Sequence, residues 1–401
     1  MKYVIVGGGV AGTTAAEELR KLDSDGEIIL ISQEQHPLYS RVLLPHYLKG
    51  LVERERVFLK KESWYEEKNI EWLRGVEVVK CDTKNKFVEL SDGRELPYDK
   101  LLIASGNEPR VVDGDVRGVS YLRSLDDADH LKQLLNERKK GDPAAVWGGG
   151  LIACEYLNLF VAHELPTTIA LRGQHFWSKN LNEEAGEFLN EHLRQQGVKI
   201  LTEQKFLGVE GEKELEGMKL ENQKVECDIL GIGIGVQSDL GWIKDAEIEV
   251  DRGVKVNEFL ETNVEDVWAV GDVAEYFDVV ANRHIMFGNW QKAMSQGRVV
   301  AKSMAGERSE YQQVPSYAME ILGLDITFVG DVELAAADKV LVRKGDEHGP
   351  TLMLMRDNKL VGAVVMGRNS DRVPLTKVID QRTGDLAKVM NWQGIDQEIL
   401  A

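Results

Sequence analysis

Cysteine is scarce in this chain. Cys81, Cys154 and Cys227 are the only three in 401 residues, and they form neither a CxxC pair nor a metal-ligand cluster. That spacing argues against a disulfide framework and a structural zinc site, and no metal site is expected. Positive charge is in deficit too: 49 Lys and Arg stand against 67 Asp and Glu, a formal net charge of −18. Nucleic-acid binding needs clustered cations to neutralise phosphates, so this balance counts against that class. No apolar run approaches the ~20 mostly uncharged residues that span a bilayer. The most apolar window, Ala144 to Ala162, is broken by Gly148, Gly149, Gly150 and Glu155. Met1-Lys2-Tyr3 leads straight into Val4-Ile5-Val6, without the segments of a secretory leader. A cytoplasmic location is expected, although an acidic soluble protein can still dock on a membrane complex.

What is present is enough apolar material, 43% of residues with 29% charged, for a globular protein. At ~100–200 residues per domain, two or three domains are expected. One pattern occurs twice: a short apolar strand, a glycine cluster, then a helix. The first copy is Tyr3 to Gly12 followed by Thr13 to Leu22, with Ala15, Leu19 and Leu22 at helical spacing; the second is Ala145 to Ala153 followed by Cys154 to His163. Strand-like runs, Glu27 to Ser32 and Thr167 to Leu171, complete each strand-helix-strand unit. A β-rich stretch covers Val76 to Ile103, with a turn at Asp92-Gly93. The last stretch, from about Tyr311, reads as a small α+β module. Its strands lie at Lys339 to Val342, Thr351 to Met355 and Leu360 to Val365, with a hairpin turn at Asp357-Asn358 and helices at Leu375 to Ile379 and near Leu386 to Met390. With no low-complexity segment or Pro/Ser-rich linker, the domains are expected to pack rather than swing.

Gly7-x-Gly9-x-x-Gly12 opens a helix directly after a strand, and Glu34 follows at the end of the next strand. In such a turn the first glycine makes the tight bend, the second lets backbone approach a pyrophosphate, and the third lets helix and sheet pack. The helix N-terminus holds the anion and the acid accepts from ribose hydroxyls. The second copy, Gly148-x-Gly150-x-x-Ala153, has alanine in the third place, which is permitted. Its strand ends in Leu171-Arg172 where an NAD site would usually place an acid. Arg172 either pairs with a 2′-phosphate, favouring NADPH over NADH, or is a solvated surface charge. Farther on, Val267 to Ala274 reads as an apolar strand ending in Gly271-Asp272 and then a small-residue helix start. Alone, Asp272 would be a turn or cap residue.

Together these motifs, with Tyr98 to Gly106 and with Glu155 in the second glycine motif, resemble the FAD/NAD(P) flavoprotein reductases of the pyridine nucleotide-disulfide oxidoreductase superfamily, in the same order over about residues 1 to 308. The resemblance implies an α/β fold with two Rossmann-like dinucleotide-binding domains, the second inserted in the first, plus a small C-terminal α+β domain. The implied spans are 1–110 and 237–308 for FAD, 111–236 for NAD(P) and 309–401 for the last domain. Gly7, Gly9, Gly12 and Glu34 would bind the FAD diphosphate and ribose. Val78 would lie at the adenine, Ser105 and Gly106 would close over the cofactor, and Asp272 would reach the ribityl chain. Arg41 would line the pyrophosphate or flavin, or be a surface charge, and Trp290 would lie near the isoalloxazine.

The redox-active cysteine of the disulfide reductases is missing: the stretch Tyr39 to Gly50 contains none. It resembles instead the cysteine-free branch, which comprises rubredoxin and ferredoxin reductases, NADH oxidases and the flavin-binding part of the nitrite reductase large subunit. In ferredoxin reductases a lysine of this segment pairs with the glutamate of the second glycine motif. The matching positions here are His46 and Glu155, and His46 is either that partner or an ordinary histidine. The implied activity is that of an FAD-dependent NAD(P)H oxidoreductase passing electrons to a small redox protein or small-molecule acceptor, as a monomer or homodimer. The alternative is a sensor flavoprotein whose second motif no longer supports turnover. Hydride transfer to a flavin needs no acid-base triad, in keeping with the lack of one in the motifs.

Overall fold

The computed structural model describes residues 1–114, 116–344 and 348–380, and the backbone of strand Glu398–Leu400. The helix expected near Leu386 to Met390 lies outside the described residues. By its internal contacts the chain forms two units. One comprises Met1–Leu43, Val52–Glu108 and Gln237–Gln313; the other comprises Leu44–Leu51, Pro109–Val236 and Val314–Ala401.

The first unit is built on a five-stranded parallel sheet in the order Val267–Ala269, Lys100–Ile103, Lys2–Val6, Glu27–Ser32 and Ile70–Arg74. Apart from the edge strand Ile70–Arg74, its strands are largely apolar runs, as a sheet covered on both faces requires. Val4, Ile5, Leu30, Leu101, Leu102 and Ile103 are fully buried. The helix Val10–Leu22 follows the first glycine motif and buries Ala11, Ala15 and Leu19, one face at four-residue spacing. Leu22, expected on that face, is 47% exposed, because the helix ends there and Asp23 is already extended. A second helix, Trp290–Met304, packs across it, and a Cβ at Gly297 would lie 2.5 Å from the Ala11 carbonyl oxygen. The β-rich stretch forms a separate antiparallel sheet of Val78–Asp82, Phe87–Leu90 and Glu95–Pro97. After Gly271-Asp272 the expected helix does not form. A single 3-10 turn, Gly271–Val273, leads into the strand Ala274–Asp278, which pairs with Val254–Val256 and so draws the backbone into a sheet.

The second unit has its own five-stranded parallel sheet, ordered Lys199–Leu201, Thr167–Ala170, Ala144–Trp147, Ile229–Ile232 and Val119–Ser120. Its motif helix runs Leu151–Ala162, starting three residues before the expected Cys154, directly after the N-cap Gly150. The same unit carries a six-stranded antiparallel sheet ordered Ser316–Ile321, Leu324–Gly330, Lys359–Met366, Thr351–Arg356, Lys339–Arg343 and Glu398–Leu400. Asp357 and Asn358 both have positive φ, 49° and 58°, as a tight hairpin turn demands. The helix Arg372–Asp380 buries Leu375 and Ile379. Among the described residues, no helix is long and apolar enough to cross a membrane.

Candidate functional site

The three glycines of the first motif differ in what surrounds them. Gly7 has φ +120°, and a Cβ there would meet the Ala104 carbonyl oxygen at 2.1 Å. At Gly12 a Cβ would lie 2.0 Å from the Gly7 oxygen and 3.1 Å from Ile5 Cγ2. These two are demanded by the fold. Gly9, the helix N-cap, is different: the nearest atom to an added Cβ is Arg41 Nη1 at 3.5 Å. The first turn of that helix contains no acidic residue, and the N-cap provides no side-chain cap. Its first amides have no acceptor within the helix and aim at open space beside a guanidinium, an arrangement suited to a pyrophosphate. This cradle fits the phosphates of a dinucleotide cofactor.

Arg41 forms an ion pair with Glu34, and the Tyr39 hydroxyl donates to Glu34 Oε2 at 2.6 Å. Burial opposes the Arg41 charge, but the surrounding Tyr39, Glu34, Asp272 and Glu108 outweigh it and hold the guanidinium above its ordinary pKa. Arg41 is therefore part of a charged cluster with Glu34 and Tyr39. The Asp272 turn is held through its backbone. Gly271, at φ +79°, donates its N–H to Gln296 Oε1 at 2.9 Å; the Lys292 ammonium donates to the Gly271 carbonyl at 3.0 Å; Asn107 Nδ2 donates to the Asp272 carbonyl at 3.1 Å. A Cβ at Gly288 would lie 3.1 Å from Asp272 Oδ1, so that glycine leaves room for the carboxylate.

Motif reading did not single out Lys292 and Asn107, or the contact made by Gln296. A signal existed, because Lys292 and Gln296 stand four apart on the helix face that also carries Ala293, Gly297 and Val300, and all are buried. Of the remaining expected residues, Val78 is buried at the start of its strand, and Ser105 is exposed beside Gly106, whose φ is +73°. Trp290 is half-buried at the first position of its helix and packs on the core of the first unit; Trp268 is core.

The second motif repeats the geometry within its own unit. Gly148 has φ +125°, and a Cβ there would meet the Gly233 carbonyl oxygen at 2.1 Å; at Gly150 a Cβ would meet nothing within 4 Å. Ala153 is fully buried and its backbone N would lie 2.8 Å from a Cβ placed on Gly233, so an alanine methyl is tolerated only because the opposing residue is glycine. Arg172 is exposed and has no hydrogen-bond or ion-pair partner among the described residues. His175, a few residues on, is turned into its own loop, with Nδ1 donating to the Phe176 carbonyl at 2.8 Å. The loop is tied to the motif by Trp177, whose N–H donates to the Gly149 carbonyl at 3.1 Å.

Of the two alternatives for His46, partner of Glu155 or ordinary histidine, the surroundings of Glu155 favour the second. His46 is exposed, and the cation acting on the half-buried Glu155 is Lys49, one helical turn further along. Burial raises the Glu155 pKa, Glu320 raises it further, and Lys49 and Asn158 oppose the rise. The helix Leu44–Leu48 ends before Lys49, and a linear match does not show which of these residues acts on Glu155.

All three cysteines are buried. Burial pushes the Cys81 thiol up to about 11, the Cys227 thiol up to about 12 and the Cys154 thiol well above its ordinary value. None is a thiolate near neutral pH, so none is a ready nucleophile.

Two nucleotide-type cradles on two parallel sheets define a dinucleotide-binding α/β protein. Residues 1–297 match the family model of the pyridine nucleotide-disulphide oxidoreductases, and the chain belongs to that family. FAD and a nicotinamide nucleotide are the cofactors that membership supports. The chain is 30% identical over 384 residues to an NADH-rubredoxin oxidoreductase of Clostridium acetobutylicum, covering 94% of each. It is 29% identical over 408 residues to a nitrite reductase [NAD(P)H] of Bacillus subtilis, covering 99% of this chain but 49% of the relative, so it spans about half the length of that protein. Its fold matches a chain in the crystal structure of the covalent putidaredoxin reductase-putidaredoxin complex with a TM-score of 0.89 at 24% identity, covering 95% of this chain and 93% of the other.

Proposed function

We propose that this protein is an FAD-dependent NAD(P)H oxidoreductase that passes electrons to a small redox protein, working in the cytoplasm. The observation that carries the reading is the pair of open second glycines, Gly9 and Gly150, each at the N-terminus of a helix following a parallel strand, in a chain whose cysteines are all buried thiols. Such a site supports flavin-mediated transfer and not thiol-disulfide exchange. The name of the NADH-rubredoxin oxidoreductase, a relative of nearly equal length, supports a protein acceptor.

In this reading the first unit takes FAD. Gly7, Gly9 and Gly12 admit the pyrophosphate, Arg41 neutralises it, Glu34 accepts from the adenosine ribose, and Val78 lines the adenine. Ser105, Gly106 and Asp272 hold the flavin half, with Trp290 beside the ring. FAD, when bound, supplies the step from two-electron to one-electron chemistry. Gly148, Gly150 and Ala153 receive the nicotinamide nucleotide, and Arg172 favours the 2′-phosphate of NADPH because an exposed guanidinium with no partner among the described residues is available to it. Glu155, whose pKa burial raises and the Lys49 charge lowers, contributes a carboxyl beside this motif. The test is anaerobic addition of NADPH or NADH to the purified yellow protein, followed by a steady-state screen with rubredoxin, ferredoxin, quinone, oxygen and ferricyanide. Bleaching of the flavin and turnover with an iron-sulfur or rubredoxin acceptor are expected. Flavin that stays oxidised with both nucleotides would make the protein a sensor.

A further inference from the structure

Lys292 stands where a lysine is costly. It is the third residue of the helix Trp290–Met304, counted from the N-cap Asn289, and its side chain is 1% exposed. A cation in the first turn faces the positive end of the helix dipole, and burial strips it of water. The compensation is small. Its Nζ makes one hydrogen bond, to the Gly271 carbonyl at 3.0 Å, and lies 5.0 Å from the centre of the Tyr276 ring. Asp272 is the charge that acts on it, and burial still pulls its pKa down to about 8. A buried charge with so little compensation costs stability rather than supplying it, so stability alone does not account for this lysine.

Its position suggests what does. A Cβ at Gly271 would lie 3.3 Å from Ala11 Cβ in the first glycine motif, and Gly297, further along the same helix as Lys292, crosses the Ala11 carbonyl. The ammonium thus stands at the joint between the glycine cradle and the Asp272 turn, and it grips the carbonyl immediately before Asp272. Resting on the FAD reading above, we propose that Lys292 is a positioning residue for FAD, fixing the Gly271-Asp272 turn so that the Asp272 carboxylate is presented to the cofactor, with its positive charge acting on the bound flavin. Removing it loosens the turn and also takes a cation from the flavin's surroundings, which makes electron addition harder.

The test uses the full chain, freed of flavin and titrated with FAD, as wild type and as Lys292→Met. The variant is expected to bind FAD at least tenfold more weakly, to show a lower flavin midpoint potential when saturated, and to have an apoprotein Tm equal to or above that of the wild type. A dissociation constant within twofold of wild type, or an unchanged potential, overturns the proposal. A lower apoprotein Tm, or failure of the variant to fold, assigns Lys292 to the fold and overturns it as well. Failure of the wild type itself to bind FAD overturns the FAD reading instead.

Discussion

The two glycine motifs are close copies in backbone and differ in what stands around them. In both, the first glycine has a strongly positive φ and a neighbouring carbonyl within 2.1 Å of where a Cβ would be. In both, the second glycine opens outward. Around Gly9, however, Arg41, Glu34, Tyr39 and Asp272 already form a connected charged site, whereas near the second motif Arg172 is exposed and has no partner among the described residues. In the proposed reading the first cradle is built in advance, so its ligand would meet fixed charges. The second would leave more of the recognition to a side chain that is ordered only when the nucleotide arrives, and that costs entropy. A resident cofactor and an exchanging one have those opposite needs.

The comparison breaks most severely at the first glycines. Gly7→Val and Gly148→Val each force a side chain into backbone at positive φ, and a loss of several kcal/mol, on the order of 3–5, is expected, seen as a collapse of Tm or of soluble yield. Next come the second glycines, where the two sites should separate. Gly9→Val keeps the fold, since only the flexible end of Arg41 is near, but FAD should fall to a small fraction of wild-type content by absorbance. Gly150→Val should keep its FAD and lose reduction by the nicotinamide nucleotide. If both variants lose flavin equally, the division of labour between the motifs is wrong.

A smaller effect is expected at Arg172. Loss of one exposed phosphate contact is worth roughly 1–2 kcal/mol, on the order of tenfold in affinity, so the wild type should show a modest preference for NADPH in the rate of flavin reduction. Arg172→Glu should erase or reverse that preference. A wild type that prefers NADH, with an unchanged ratio in the variant, would make Arg172 a plain surface residue. The smallest effect is expected from the thiols. Their raised pKa values keep Cys81 and Cys227 protonated until pH approaches about 11 and 12 respectively, so alkylating reagents at pH 7 to 8 should leave turnover nearly intact. Rapid inactivation under those conditions would reinstate thiol chemistry.

Much of this site was legible because local physics leaves few choices. A glycine that must adopt positive φ, a strand with no polar residue, and an acid at the next strand's end are sequence-local events. The helix Trp290–Met304 has the same local character, with Ala293, Gln296, Gly297 and Val300 at helical spacing. The reading failed where a partner came from elsewhere. The segment after Asp272 has small residues that suit a helix, yet it became a strand because Val254–Val256 offered it a ladder. His46 matched by position, but the cation whose charge acts on Glu155 is Lys49, just past the short helix.

The amino-acid order by itself determined the two nucleotide-binding units and their succession, because turn geometry and hydrophobic period act over a few residues. It also determined the lack of a cysteine in the stretch Tyr39 to Gly50. Only the tertiary structure decided which charges meet. Arg41 reaches Asp272 across more than half the chain, Asn107 holds the Asp272 carbonyl, and Lys292 is buried against Gly271. Electrostatic and hydrogen-bonding neighbours are set by distance in space, and spacing along the chain does not carry that information.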